Sequence, residues 1–308
     1  MDPKVSVIMP AYNSEKYISE AVASVLQGTL HNVQVIVVDD ASTDATFHIA
    51  SELAVADQRV EVYRHDKNRG PAVARNLALR HAKGEWVTFL DSDDWFAPER
   101  LERLICAAED RGVDAICDDI WLFSEADKRV IGSSYKNRGL CLEYYKLMSV
   151  ADLVKLRLIA IQPLIRRSLI EKYNLSFPEN YRYGEDYYLY FSLAAHDVLF
   201  CFDPRPMYFY RKHTNSITYN YGDHISETIS MIKNLLDEPH IKSNYILVNI
   251  FNWLIKEEHI LLSYIEFEKF VKNSNYAKSL YILMNKPEIF PMLLKRILSK
   301  LVVWFHKD

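Results

Sequence analysis

The sequence predicts an α/β protein: a Rossmann-like, mostly parallel sheet flanked by helices, with a helical appendage at its C-terminal end. Three observations predict it. Short runs rich in Val and Ile alternate with amphipathic helical stripes from Lys4 to Trp121. Carboxylates follow two of those runs at once, as Asp39-Asp40 and as Asp91-Ser92-Asp93-Asp94. After Gly222 the composition changes to long helical runs with no strand pattern.

Residues 4–9 alternate little and are rich in Val and Ile, which reads as a strand buried on both faces and stopped by Pro10. Ile18, Ala21, Val22, Val25 and Leu26 form one helical stripe, ended by Gly28. Residues 33–38 read as the second strand, and Ser42, Thr43 and Asp44 supply N-cap chemistry for a helix running to residue 56. Strands over 59–65, 85–90 and 113–121 alternate with helices over 71–82 and 98–111. Further on, 158–165 reads as a strand, and Leu189, Phe191, Leu193 and Ala194 belong to a helix that opens near Glu185.

With 308 residues, 49% of them hydrophobic, the chain has ample material for a core. A net charge of −4 gives no whole-protein attraction to nucleic acid. Cys106, Cys117, Cys141 and Cys201 show no metal-like spacing, which fits reduced thiols in a cytosolic protein. Neither a secretory signal nor an apolar run long enough to span a bilayer is visible.

The acid turn at 91–94 places three carboxylates in four positions at the end of a buried strand, where open α/β sheets bind ligands. Like charges this close repel unless a hard divalent ion neutralises them. The plainer alternative is an Asp-rich turn capping the next helix. The eight glycines include no two separated by a single residue, so a G-x-G-x-x-G fingerprint is impossible, and a P-loop is absent. A diphosphate held through a metal remains.

Pro10-Ala11-Tyr12-Asn13, Val38-Asp39-Asp40-Ala41-Ser42-Thr43-Asp44, Asn68-Arg69-Gly70-Pro71-Ala72-Val73-Ala74-Arg75-Asn76 and Asp91-Ser92-Asp93-Asp94 resemble four successive signatures of family 2 inverting glycosyltransferases with the GT-A fold. The likeness is tight over residues 3–125 and recurs in shorter pieces to residue 218. It implies a catalytic domain over 1–222, with a nucleotide-sugar half of about 1–125 and an acceptor half of about 126–222, followed by a helical region over 223–308.

By that resemblance Pro10, Ala11, Tyr12, Asn13 and Asp40 surround a uracil-like ring, with Asp40 accepting from its imide N–H. The plainer alternatives are a buried aromatic for Tyr12 and a helix-capping acid for Asp39. Arg75 faces the nucleotide or its phosphates, and Asn76 orders that loop. Asp91 and Asp93 form the D-x-D pair around Mg²⁺ or Mn²⁺, with Ser92 between them and Asp93 the direct ligand; Asp94 caps or orients. The string Tyr181-Arg182-Tyr183-Gly184-Glu185-Asp186 resembles the family's E-D motif, which makes Asp186 the catalytic base and Glu185 an acceptor-positioning residue. As a plain pair of acids at a helix N-terminus they would only complement the macrodipole. The segment 208–218 resembles the family's Y-R-x-H-x-x-S-I-T run, in which Arg211 forks onto a phosphate and His213 ligates the metal or donates to a phosphate. Arg166 and Arg167 read as surface charges.

The implied partners are a nucleotide-sugar donor, with UDP favoured, and a saccharide or lipid-linked saccharide acceptor. In residues 287–308, Phe290, Leu293, Leu294, Ile297, Leu298, Leu301 and Phe305 recur at helical spacing among Lys295, Arg296, Lys300 and Lys307. That pattern suits a helix lying on an anionic membrane surface, and suits a terminal core helix almost as well. Rival readings are a sugar nucleotidyltransferase, whose Gly-rich basic first loop is missing here, and a non-catalytic sugar-binding module.

Overall fold

The structure, a computed structural model, describes residues 2–136, 144–155, 162–181, 184–213 and 221–293. Two compact units make up the chain, Met1–Tyr219 and Asn220–Asp308, a division three residues before the boundary expected at 222.

The first unit runs β1 (Val5–Ala11), α1 (Ile18–Leu26), β2 (Val33–Asp39), α2 (Thr46–Ala56), β3 (Val60–Arg64), α3 (Pro71–His81), β4 (Trp86–Phe89), β5 (Trp95–Phe96), α4 (Arg100–Arg111) and β6 (Ala115–Ser124). It continues with β7 (Arg129–Ser133), β8 (Lys146–Met148), α5 (Val150–Lys155), β9 (Leu164–Arg166), α6 (Arg167–Lys172), α7 (Glu185–Ala195) and β10 (Phe200–Lys212). The sheet order is β3-β2-β1-β4-β9-β6-β10-β5, with β7 on β6 and β8 on β10. β3, β2, β1 and β4 are mutually parallel. β2 is buried at every position, as a continuous Val- and Ile-rich strand covered on both faces must be, and β4 is buried throughout as well.

The sheet is mostly parallel, as expected, and three of its details have physical causes. β1 does not stop at Pro10 but runs to Ala11. Ile8 O accepts from Leu90 N on the β4 side, so the next residue of the same parity, Pro10, directs its missing N–H past the end of β4, where no ladder bond is needed. The sheet is not wholly parallel, because β9 inserts between β4 and β6 antiparallel to both. Of the strand expected over 158–165, residues 162–165 are described, and β9 takes up only Leu164–Arg166. Lastly, β10 is 13 residues long and parallel to β6, with its register shifted between Asp203 and Tyr208, where Pro204 and Pro206 cannot donate to a ladder.

The second unit consists of α8 (Tyr221–Asp237), α9 (Pro239–Lys242), α10 (Tyr245–Lys272), α11 (Tyr276–Asn285) and a 3₁₀ turn at Pro287–Ile289. Asn244 caps α10 by accepting from the N–H groups of Ile246 and Leu247. Leu247, Phe251, Leu254 and Glu258 form its buried stripe. Residues 294–308 of the expected amphipathic terminal helix lie outside the described residues.

Candidate active site

Because β2, β1 and β4 are neighbours, the loops at their carboxyl ends open on one crevice. Two inter-strand steps of roughly 4.8 Å each set the tips of β2 and β4 about 10 Å apart, the scale of a nucleoside diphosphate.

At the β4 tip the acid turn is tied down from three sides. Asp94 N donates to Asp91 O at 3.0 Å, closing the turn. The buried Asp94 carboxylate accepts from the Tyr208 hydroxyl and from the Arg211 N–H, each at 2.7 Å, which fixes the turn to β10. Burial, then the nearby Asp93 and Asp91, raise its pKa well above the usual carboxylate range. The buried Ser92 hydroxyl lies 2.6 Å from that of Ser14, linking the turn to the β1–α1 loop. Asp94 and Ser92 therefore face the fold, while Asp91 and Asp93, each with about a third of its side chain exposed, face the crevice.

Asp93 Oδ2 meets His213 Nε2 at 2.8 Å, and the His213 ring stacks on Tyr17 with centroids 5.6 Å apart. The bond to Asp93 raises the His213 pKa above its ordinary value, against the opposing effect of burial. Asp91 instead accepts from Arg75 Nη2 at 2.9 Å. Arg75 Nη1 donates to Glu185 at 2.6 Å, so this guanidinium joins the acid turn to the first residue of α7. Burial works against the Arg75 charge, but Asp91, Glu185 and Asp186 outweigh it. Burial and then Asp186 raise the Glu185 pKa above the carboxylate range. Asp186, half-buried beside it, also acts on Asp91, so α7 brings its acid pair to the D-x-D turn across Arg75. Asn76 makes that approach possible. It exchanges two 2.8 Å bonds with the backbone of Phe177, fixing the chain that leads into α7.

At the neighbouring tips of β1 and β2, Pro10 is half-buried, Ala11 is buried and Tyr12 is 48% exposed, so Tyr12 is not a core aromatic. Asn13 has a positive φ of 51° and holds the adjoining loop, its Oδ1 accepting from Thr43 N at 2.9 Å. Asp40, expected to take a nucleobase imide, is buried and already accepts from Gly70 N at 2.7 Å and Arg69 N at 2.9 Å, with His65 Nδ1 at 2.7 Å. Its carboxylate holds the 65–70 loop. The neighbouring Asp39 is different: Oδ2 pairs with Arg64 Nε at 3.0 Å and accepts from Ser42 N, whereas Oδ1 is buried without a partner. A buried carboxylate oxygen left unpaired is costly, so Asp39 is the acid here with capacity to spare. The sequence pattern ends the strand at residue 38, before both acids; the structure extends β2 to Asp39 and so separates it from Asp40, which begins the turn.

Arg211 was expected to fork onto a phosphate. Its Nε donates to Asp93 O at 2.7 Å, its Nη1 to Glu125 at 2.8 Å and its Nη2 to Glu20. Arg182, Tyr183 and residues 214–218 of the quoted motifs lie outside the described residues.

Residues 6–174 match the family model described as glycosyl transferase family 2. The chain belongs to that family. Among its relatives is the succinoglycan biosynthesis protein ExoO of Rhizobium meliloti (strain 1021), 33% identical over 245 residues, which are 74% of this chain and 66% of ExoO. The chain thus spans just under two thirds of that relative's length. The S. aureus TarS 1–349 structure in complex with UDP-GlcNAc superposes with a TM-score of 0.63 at 23% identity, over 87% of this chain and 73% of that one. The mannosyltransferase PcManGT from Pyrobaculum calidifontis, in complex with GDP-Man and Mn²⁺, gives 0.58 at 18% identity, over 93% and 82%. At these identities the likeness is one of fold, the GT-A fold of family 2 enzymes.

Proposed function

We propose that this family 2 glycosyltransferase moves a sugar from a UDP-sugar to a hydroxyl of a saccharide or lipid-linked saccharide during surface polysaccharide synthesis, inverting the anomeric centre. The observation that carries the reading is the Arg75 bridge, which donates to Asp91 of the acid turn and to Glu185, because it ties the first turn of α7, where the base candidate Asp186 sits, to the cation-seeking acids. The catalytic chemistry belongs to the first unit. Two names support the substrate class: TarS is described with UDP-GlcNAc, and ExoO as a succinoglycan biosynthesis protein.

In this reading Asp39 Oδ1 accepts the imide N–H of the uracil ring once the half-exposed Arg64 side chain moves aside, and Tyr12 covers the ring. Asp93 and His213 would supply one carboxylate and one imidazole to a divalent cation; the carboxylate suits Mn²⁺ or Mg²⁺ alike, and the imidazole favours Mn²⁺ over the oxygen-seeking Mg²⁺. No cluster of three ligating side chains occurs among the described residues, which fits an ion completed by water and the donor's phosphates. When bound, that ion neutralises charge developing on the leaving diphosphate. Asp186 takes the proton of the acceptor hydroxyl as its oxygen forms the bond to the anomeric carbon; the bond to the diphosphate breaks on the opposite face, and inversion follows. Glu185, through its bond to Arg75, fixes the first turn of α7 on which Asp186 sits.

Asp186→Asn is expected to lower turnover about 10²- to 10⁴-fold with nucleotide affinity unchanged, and Asp93→Asn to remove metal-dependent transfer. Calorimetry with UDP and a product assay check both; full turnover in either variant would sink that assignment. The membrane surface expected for 287–308 is kept as part of the proposal. Its support is the exposed outer face of α11, where Tyr276, Leu280, Tyr281 and Met284 are more than half exposed, and the exposed Phe290 beyond it. Liposome flotation with and without residues 287–308 tests it.

A further inference from the structure

Arg211 is a cation only 6% exposed beside the acid turn, and its surroundings point to a task other than gripping a phosphate. Three of its donors have partners: Nε the main-chain carbonyl of Asp93, Nη1 the Glu125 carboxylate from the end of β6, and Nη2 the Glu20 carboxylate from α1. Its guanidinium carbon lies 4.5 Å from the ring centre of Trp95, 4.7 Å from Tyr17 and 5.6 Å from Phe123, so the plane is held by aromatic faces as well. Two carboxylates against one guanidinium leave this spot net negative, which repels a diphosphate. A phosphate oxygen approaching Arg211 meets the two acids that already share it.

The partners also share a direction. Arg211 grips Asp93 by its carbonyl and Asp94 by its own N–H, donated to Asp94 Oδ1 at 2.7 Å. Tyr17, one wall of the aromatic cage, is the ring on which His213 stacks. Asp93 and His213 are thus anchored to one guanidinium, one through its main chain and the other through the cage.

Resting on the metal-dependent reading above, we infer that Arg211 is a positioning residue: it holds the Asp93–His213 pair at the spacing a divalent cation needs and makes no contact with the donor's phosphates. Glu20 and Glu125 are the fixed points that aim it. Losing such an outer partner of a ligand characteristically weakens metal binding about 10- to 100-fold.

The experiment is Mn²⁺ titration by electron paramagnetic resonance in the presence of UDP, together with UDP calorimetry in EDTA, on the full chain, Arg211→Lys, and Glu20→Gln with Glu125→Gln. Lysine keeps the charge but cannot reach the Asp93 carbonyl and both acids at once. A positioning role predicts that Arg211→Lys weakens Mn²⁺ binding about tenfold or more, leaves metal-free UDP affinity unchanged, and regains turnover at raised Mn²⁺. The double Gln variant is expected to weaken Mn²⁺ in the same direction, and it stands as the test if Arg211→Lys does not fold. A phosphate fork predicts the reverse: weaker metal-free UDP binding in Arg211→Lys, no regain with Mn²⁺, and tighter UDP binding in the double variant, where the guanidinium is released. Unchanged Mn²⁺ affinity in both variants overturns the inference alone. Failure of the unaltered chain to bind Mn²⁺ with UDP overturns the metal-dependent reading and this inference with it.

Discussion

Two buried arginines, Arg100 and Arg75, carry opposite lessons about what a guanidinium inside this fold is for. Arg100 is 0% exposed and forks onto the buried Asp118, with Nη2–Oδ1 at 2.8 Å and Nε–Oδ1 at 3.1 Å. It also donates to Gln162 O at 2.6 Å and packs 4.3 Å from the Phe96 ring, while Asp118 accepts from Met207 N. That region is a fully buried one-to-one ion pair joining α4, β6 and β10. Arg75 serves two carboxylates from two elements and feels a third, Asp186, at a rim where Asp91 is part-exposed. Charge balance separates the two: a neutral pair closes a core, whereas a surplus of acids around one cation leaves a place that attracts another.

The largest expected effect breaks the first region. Arg100→Met strands the buried Asp118 charge and is expected to cost about 3–5 kcal/mol of stability in urea unfolding. Adding Asp118→Leu removes the stranded charge and should recover most of that loss, because a buried pair exchanged for apolar groups of like volume is often near neutral. Failure of the double variant to recover would mean that the bonds to Gln162 and Met207, not the pair, hold the junction.

Next in size is the second region. Arg75→Gln frees α7 from the acid turn and is expected to lower product formation about a hundredfold, the typical result of a 1 Å misplacement of a reacting group. Its urea midpoint should move less than that of Arg100→Met, since Asp91 can turn to water. If Arg75→Gln unfolds as readily as Arg100→Met and its folded fraction keeps full turnover, the distinction between the two regions is wrong.

The same contrast explains what the sequence made legible. The succession from β1 to β6 could be read because each element carries a local signal within a dozen residues, a continuous apolar run for the buried strands and a 3.6 period for the helices. Acid turns at strand ends could be read for the same local reason. β9 could not: three residues show no period, and its antiparallel place between β4 and β6 is set by partners far along the chain. The roles of Asp39 and Asp40 could be told apart only once Arg69 N and Gly70 N were seen to fill Asp40. The engagement of Arg211 depends on Glu125 and Glu20, which lie 86 and 191 residues away, and no local pattern encodes such a pairing.

The smallest expected effect sharpens the comparison by pH, at the Asp93–His213 pair, where the carboxylate meets an imidazole instead of a guanidinium. The bond to Asp93 holds the folded His213 pKa above its ordinary 6.5, outweighing burial. A raised folded value means that the pair's stabilisation is complete below about pH 6.5 and is lost as pH rises through the folded value. With both groups partly exposed, that slope is worth about 1 kcal/mol or less. Mn²⁺ binding must run the other way, because an imidazole ligates only when neutral: affinity is low while His213 keeps its proton and climbs through the same window. Opposite slopes in one window cannot come from a general loosening of the fold, which would weaken both together. His213→Gln should flatten both curves, whereas Arg75→Gln should leave both in place. Metal affinity that stays flat across the window in the unaltered chain removes His213 from the ligand set and leaves the Asp93 carboxylate to anchor the ion.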